Sequence, residues 1–249
     1  MNTLRRRWMV GCAAGVGLAQ LSLLGDTVNP AKGHIVLLGD SILDNKAYVG
    51  NGPAVIDQVK QVMGPDWQAT LLAVDGSRTG DVLQQIERIP STATHLMISS
   101  GGNDALWNQA ILQEEVSIAL EAFQKLAALQ LRFGKEYETM LRAAMNKVPN
   151  VAVCTIYDPN FVELLRQQVS VAALSVFNDR IMRNAFQQGL PVIDLRSLFR
   201  DKADYANPIE PSSQGGLKIA KVIRQIVLQH DWGLKQSRVY GATLDEVQP

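Results

Sequence analysis

Three short clusters in this sequence carry residue types suited to acyl transfer. Gly39-Asp40-Ser41 follows an apolar run at residues 34–38, Asp75-Gly76 follows a second at 69–74, and Gly101-Gly102-Asn103-Asp104 follows a third at 95–99. A serine in a tight turn off a buried strand presents its hydroxyl at the strand end, with helix-start amides around it. A glycine lets its bare N–H approach a ligand, and an asparagine amide can donate to a developing oxyanion. The Ser41 N–H, the Gly76 N–H and the Asn103 side chain therefore form one candidate donor set. Taken singly, each is ordinary: Gly-Asp-Ser is a turn tripeptide, Gly101-Gly102 a plain turn and Asn103 a helix N-cap. The order carries the argument, because nucleophile and donors fall at the ends of successive strands.

The elements that must position these residues are legible in the hydropathy pattern. Apolar runs of strand length lie at residues 34–38, 69–74, 95–99, 151–156 and 191–195. Continuous apolar runs suit strands covered on both faces, as in a parallel sheet. Between them, helical periodicity spans 53–63, 81–88, 114–147, 161–188 and 213–230. In the third helix Val116, Leu120, Phe123, Ala127 and Leu131 form one apolar stripe, and Gly134 is expected to break or kink it. Strand–helix alternation with short joins predicts one doubly wound α/β domain of about five strands, with its site at the carboxyl ends of the strands. The domain is expected over 34–232, followed by a polar, aperiodic tail over 233–249.

With those blocks in place, the sequence resembles the SGNH (GDSL) hydrolase superfamily over almost all of 34–230. Gly39-Asp40-Ser41 is similar to the family's first block, Gly76 to its second-block glycine, and Gly102-Asn103-Asp104 to its third. The resemblance implies a three-layer α/β/α sandwich of flavodoxin-like topology and acyl transfer from an ester to water. Ser41 would be the nucleophile, and Ser41 N–H, Gly76 N–H and Asn103 the oxyanion hole. The family's last block, an Asp followed three residues on by a His before the final helix, is altered: the spacing is kept, but the pair reads Asn207 and Glu210. An Asp beside a Glu would repel it, whereas a neutral Asn can donate a hydrogen bond to the carboxylate. Glu210 is thus the candidate base, provided burial raises its pKa; an Asn207 hydrogen bond and nearby donors would act the other way.

Further candidates surround this frame. Asp104 ties the turn after the third strand, and Arg78 just past Gly76 is placed to hold an anionic group. Trp107, with Leu106 and Tyr157, is placed to wall a pocket, and Asp40 adjoins the nucleophile. Each also has a plain packing or surface role. The three histidines are elsewhere. His34 and His95 begin strands at the far end of the sheet, and His230 ends the last helix, where a cation would favour the helix dipole.

Composition narrows the alternatives. The 249 residues carry 24 basic and 24 acidic side chains with no basic block, which argues against a nucleic-acid partner. Two cysteines and no ligand-spaced cluster leave no disulfide framework and no metal site, and the chemistry calls for no cofactor. Residues 1–33, with Arg5, Arg6 and Arg7 ahead of an uncharged stretch from 8 to 24, read as a secretory leader cleaved near Ala19. Such a leader would export the protein and give it transient membrane contact; a cytosolic amphiphilic leader is the other reading. Removing it leaves 20 basic against 23 acidic residues. The leading functional reading is a serine esterase or lipase-type hydrolase acting on a small acyl ester or acetylated carbohydrate. Against it stand a non-catalytic ester-, lipid- or glycan-binding descendant, favoured by the missing histidine, and an acyltransferase using the same residues.

Overall fold

The structure, a computed structural model, describes residues 32–242. The expected leader and the end of the tail lie outside those residues. In chain order the elements are β1 (Gly33–Gly39), α1 (Val55–Met63), β2 (Trp67–Leu71), α2 (Val82–Ile86), β3 (His95–Ser99), α3 (Gly102–Trp107), α4 (Ala119–Lys147), β4 (Asn150–Cys154), α5 (Leu164–Gln187), β5 (Val192–Ile193), α6 (Leu195–Leu198), β6 (Tyr205–Asn207), β7 (Glu210–Pro211), α7 (Ser213–Gln229) and β8 (Val239–Tyr240). A single sheet runs β2-β1-β3-β4-β5-β8, parallel throughout, and β6 and β7 form a separate antiparallel hairpin.

The unbroken apolar runs are explained by what covers the sheet. Val36 and Leu38 of β1, Leu96 and Ile98 of β3 and Val151 and Val153 of β4 pack on one side with α2, α4 and α5. Their neighbours Ile35, Leu37, Met97, Ala152 and Cys154 pack on the other with α1, α6 and α7. Alternate residues thus feed two cores, which makes three layers, and each fully buried aliphatic side chain is worth roughly 1.5–3 kcal/mol. The chain winds one way from β1 to β2 and the other way from β1 to β3, so the switch point lies between β1 and β3. Ligands of such sheets bind at that crevice.

Four expectations change in detail. The sheet has six strands rather than about five, because Val239 and Tyr240 of the supposed tail add to β5. A two-residue strand is too short to leave a periodic signal. Helix α4 runs through Gly134 without interruption. A Cβ there would lie 3.0 Å from Cδ of Arg180 on α5, so this glycine allows the helices to approach rather than breaking one of them. The stripe of Val116, Leu120, Phe123 and Leu131 faces solvent, each more than a third exposed. The face of α4 that enters the core carries Leu129, Phe133, Tyr137, Met140, Leu141 and Ala144. Finally, His230 is the C-cap residue of α7, as expected, but not as a favoured cation: burial lowers its pKa, and its ring packs on Trp232 while Nδ1 meets the Tyr240 hydroxyl at 3.0 Å.

Candidate active site

The turn carrying Ser41 is built by Gly39. Its φ of 126° lies in the region that favours glycine, and a Cβ there would strike the Ser99 carbonyl of β3. The chain turns at once, with the Leu43 and Asp44 N–H groups donating to the Asp40 carbonyl at 3.1 and 3.0 Å. Gln85 of α2 clamps the turn from outside: its Oε1 accepts from the Gly39 N–H at 2.7 Å and its Nε2 donates to the Gly39 carbonyl at 2.8 Å. The same Nε2 donates to Ser77 Oγ at 3.2 Å, which ties the Ser41 turn to the loop of Gly76.

Gly76 and Asn103 come to the same strand ends. Gly76, at φ 81°, lies on the exposed loop after β2 rather than in the cavity wall. Neither its N–H nor that of Ser41 donates to a backbone acceptor among the described residues. Asn103, in the first turn of α3, donates from Nδ2 to the Ser77 carbonyl at 3.0 Å, which fixes the amide and leaves its second N–H unused by this bond.

Glu210 arrives on the β6–β7 hairpin, and that hairpin is anchored from three sides. The Tyr157 hydroxyl donates to the Ile209 carbonyl at 2.7 Å, and the Tyr205 hydroxyl donates to the Asp158 carbonyl at 2.6 Å. Asn45, fully buried just beyond the Ser41 turn, donates from Nδ2 to the Pro211 carbonyl at 3.2 Å while its Oδ1 accepts from the Val55 N–H. The loop of Ser41 and the strand of Glu210 are therefore fastened to one another. Ser212 then starts α7 by accepting from the Gln214 and Gly215 N–H groups.

The Glu210 carboxyl is buried beside the Ser41 hydroxyl, and its Oε2 has no hydrogen-bond partner. Burial pushes its pKa up to about 7; the Ser41 hydroxyl opposes this, and the nearby Asp75 carboxylate adds to it. The expected donor bond from Asn207 is not formed. Asn207 is exposed at the hairpin turn, where its Oδ1 accepts from the Ile209 and Glu210 N–H groups at 3.0 and 3.1 Å. It shapes the backbone that delivers Glu210 and gives the carboxyl itself no hydrogen bond, so burial outweighs the Ser41 hydroxyl.

Asp40 is also buried. Its Oδ1 accepts from the Ile42 N–H at 3.2 Å and the Ser99 hydroxyl at 3.4 Å, yet burial outweighs both and raises its pKa to about 8. Asp104 does not reach the cavity: its Oδ2 accepts from the Thr79 N–H and hydroxyl at 3.0 and 2.9 Å, locking the loop after β2 to α3. Arg78 and Trp107 also lie outside the cavity wall. The Arg78 guanidinium sits over the Trp107 ring at 4.7 Å on the surface, so each satisfies the other.

Ser41, Asp40, Gly102, Asn103 and Glu210 line a cavity of about 490 Å³, whose remaining walls come from α3, the turn after it, α4, the segment after β4, α5 and Ile209 of the hairpin. Among the described residues no group of His, Cys, Asp and Glu is arranged to hold a metal. Gln85 and Asn45 were not foreseeable as site-building residues, because their partners lie 46 and 166 positions away.

A doubly wound parallel sheet with its serine turn at the β1–β3 switch point defines the class, an α/β protein with its site at the strand ends. More narrowly, the chain belongs to the GDSL-like lipase/acylhydrolase family, whose profile matches residues 37–215. Solved structures with the same fold include an extracellular lipase from Streptomyces rimosus, at 18% identity and TM-score 0.56, covering 78% of this chain and 99% of the lipase. A lipase/acylhydrolase from Enterococcus faecalis, at 20% identity and TM-score 0.54, covers 78% and 94% respectively. An acetyl xylan esterase, at 16% identity and TM-score 0.58, covers 78% and 99%. A comparison with curated proteins finds no match.

Proposed function

We propose that this chain is a carboxylic-ester hydrolase in which Ser41 is the nucleophile and Glu210 the general base. The observation that carries the reading is the buried, unpartnered Glu210 Oε2 beside the Ser41 hydroxyl, with a pKa raised to about 7. A carboxylate of ordinary pKa is a poor base toward a serine hydroxyl; one tuned near the working pH is better matched. Ser41 Oγ attacks the ester carbonyl carbon while its proton passes to Glu210. The resulting oxyanion takes hydrogen bonds from the Ser41 N–H and the second N–H of the Asn103 amide, the two of the three expected donors that line the cavity. Collapse breaks the bond to the alcohol oxygen, which leaves with the proton held by Glu210, and Ser41 remains acylated. Glu210 then takes a proton from water, the hydroxide attacks the acyl carbon, and the acid departs as Ser41 regains its proton. Apart from water, this scheme uses only groups of this chain.

The test pairs a fluorophosphonate probe with turnover of p-nitrophenyl acetate, wild type beside Ser41→Ala. The expected result is labelling and hydrolysis in the wild type and neither in the variant. Absence of both in the wild type between pH 5 and 9 overturns the reading and leaves a binding protein.

A further inference from the structure

Resting on that reading, the geometry points to a medium- or long-chain fatty acyl group as the acyl half of the substrate, held between α4 and α5, rather than to an acetyl group. The leaving alcohol must face Glu210 to receive its proton. That side is polar, with the exposed Asp75 acting on Glu210 and its Oδ2 accepting from the Tyr48 hydroxyl at 2.7 Å. The acyl group is therefore left the opposite wall. There the cavity is lined by Leu126 and Leu129 of α4, by Val169, Ala173 and Phe177 of α5, and by Ile156 after β4.

Size and polarity favour a chain over an acetylated sugar. A cavity of about 490 Å³ falls within the ~300–1,000 Å³ that encloses a whole drug-sized ligand, where an acetyl group would fill a small corner. Away from Ser41 and Glu210, the polar side chains Gln109, Gln113, Glu163 and Arg166 are exposed and belong to its opening, and the half-buried Asn108 already bonds the Asp104 carbonyl and Arg132, which leaves only the half-buried Ser170 hydroxyl facing the apolar walls, too little to read a sugar. Arg166 is further committed to the Phe161 ring, 3.9 Å away. At the opening Leu112 and Leu165 are both wall and surface, 46% and 66% exposed, so a chain longer than the cavity stays on apolar ground as it emerges.

The experiment measures kcat/KM for p-nitrophenyl esters from acetyl to octanoyl, each below its aggregation limit. Burial of each methylene is worth about 0.8 kcal/mol, or roughly fourfold, so full burial of the six extra methylenes should raise the octanoyl ester above the acetyl ester by about three to four orders of magnitude. Ala173→Phe, which fills the gap between the two helices, should bring that octanoyl-to-acetyl ratio down by at least tenfold. A thermal melt verifies that the variant folds, and the wild-type series stands without it. A flat or falling series in an enzyme that labels at Ser41 overturns this inference and leaves the hydrolase reading intact. Absence of both labelling and turnover on every ester overturns both.

Discussion

Replacing the carboxyl groups at the cavity should reshape the pH dependence in a way that a serine–histidine pair would not show. Glu210 must be ionised to accept the serine proton, and burial places its pKa at about 7. Asp40, also in the wall, is raised to about 8, so at neutral pH it is mostly neutral. Its ionisation would put a second negative charge beside the forming oxyanion. The active form therefore has Glu210 charged and Asp40 neutral, which makes kcat/KM bell-shaped. With limbs at about 7 and about 8, the active fraction is about 60% at pH 7.5, about 1% at pH 5 and about 9% at pH 9. Stopped-flow turnover of p-nitrophenyl esters across that range, corrected for spontaneous hydrolysis, reads both limbs. Asp40→Asn is nearly isosteric and keeps the Oδ1 acceptor for Ile42, so it should abolish the descending limb and leave the ascending one. Glu210→Gln should lower kcat/KM by about 10²–10⁴, the usual contribution of a general base, and remove the ascending limb. A Glu210→Gln enzyme that retains full activity, or a wild-type profile with no limb near 7, would refute the assignment of the base.

Three further outcomes follow from the packing. Gln85→Leu removes the side-chain partner of the Gly39 N–H, while the Gly39 carbonyl keeps the Val74 N–H, and should cost about 1–3 kcal/mol in urea denaturation and lower kcat, since the Ser41 turn loses its clamp; unchanged kcat would show that the turn holds itself. His95 is buried against Trp67 and Trp232 and its pKa falls from 6.5 to about 4. The folded protein therefore keeps this ring neutral while the unfolded chain protonates it, so stability is full above pH 6.5 and declines as pH falls toward 4. Allowing for solvent screening, about 2 kcal/mol is at stake, and His95→Gln should flatten that acid dependence in pH-resolved thermal melts. Leu120→Ser, Phe123→Ser and Leu131→Ser remove exposed side chains of α4 and should each change stability by less than about 0.5 kcal/mol; a loss above 1 kcal/mol in any of them would mean that this face is covered.

The fold was legible because the strands announce themselves: a sheet covered on both sides needs apolar residues at every position, and β1, β3 and β4 supply them. Family membership was equally legible, carried by short blocks around Ser41, Gly76 and Asn103. What failed was the choice between two faces of one helix. Helix α4 has two apolar stripes, and periodicity finds both without saying which meets the sheet; only the position of α5, admitted by Gly134, decides it. At the site, the spacing of Asn207 and Glu210 marked a pair but could not show the hairpin between them. In that turn Asn207 is drawn to nearby backbone N–H groups rather than to the carboxyl. Arg78 and Trp107 were placed by chain proximity to the site, and their mutual stacking on the surface is a tertiary fact.

All three histidines lie away from the cavity, so no imidazolium can form beside Ser41. With Glu210 as base, attack on an ester changes where a negative charge resides, from the carboxylate to the oxyanion, without creating a positive partner for it. A reaction that separates charge is penalised by apolar surroundings, whereas one that only shifts charge is far less sensitive to them. The greasy walls that would hinder a serine–histidine ion pair are thus compatible with this carboxylate. On the proposed mechanism, the missing histidine and the apolar cavity become two sides of one electrostatic arrangement.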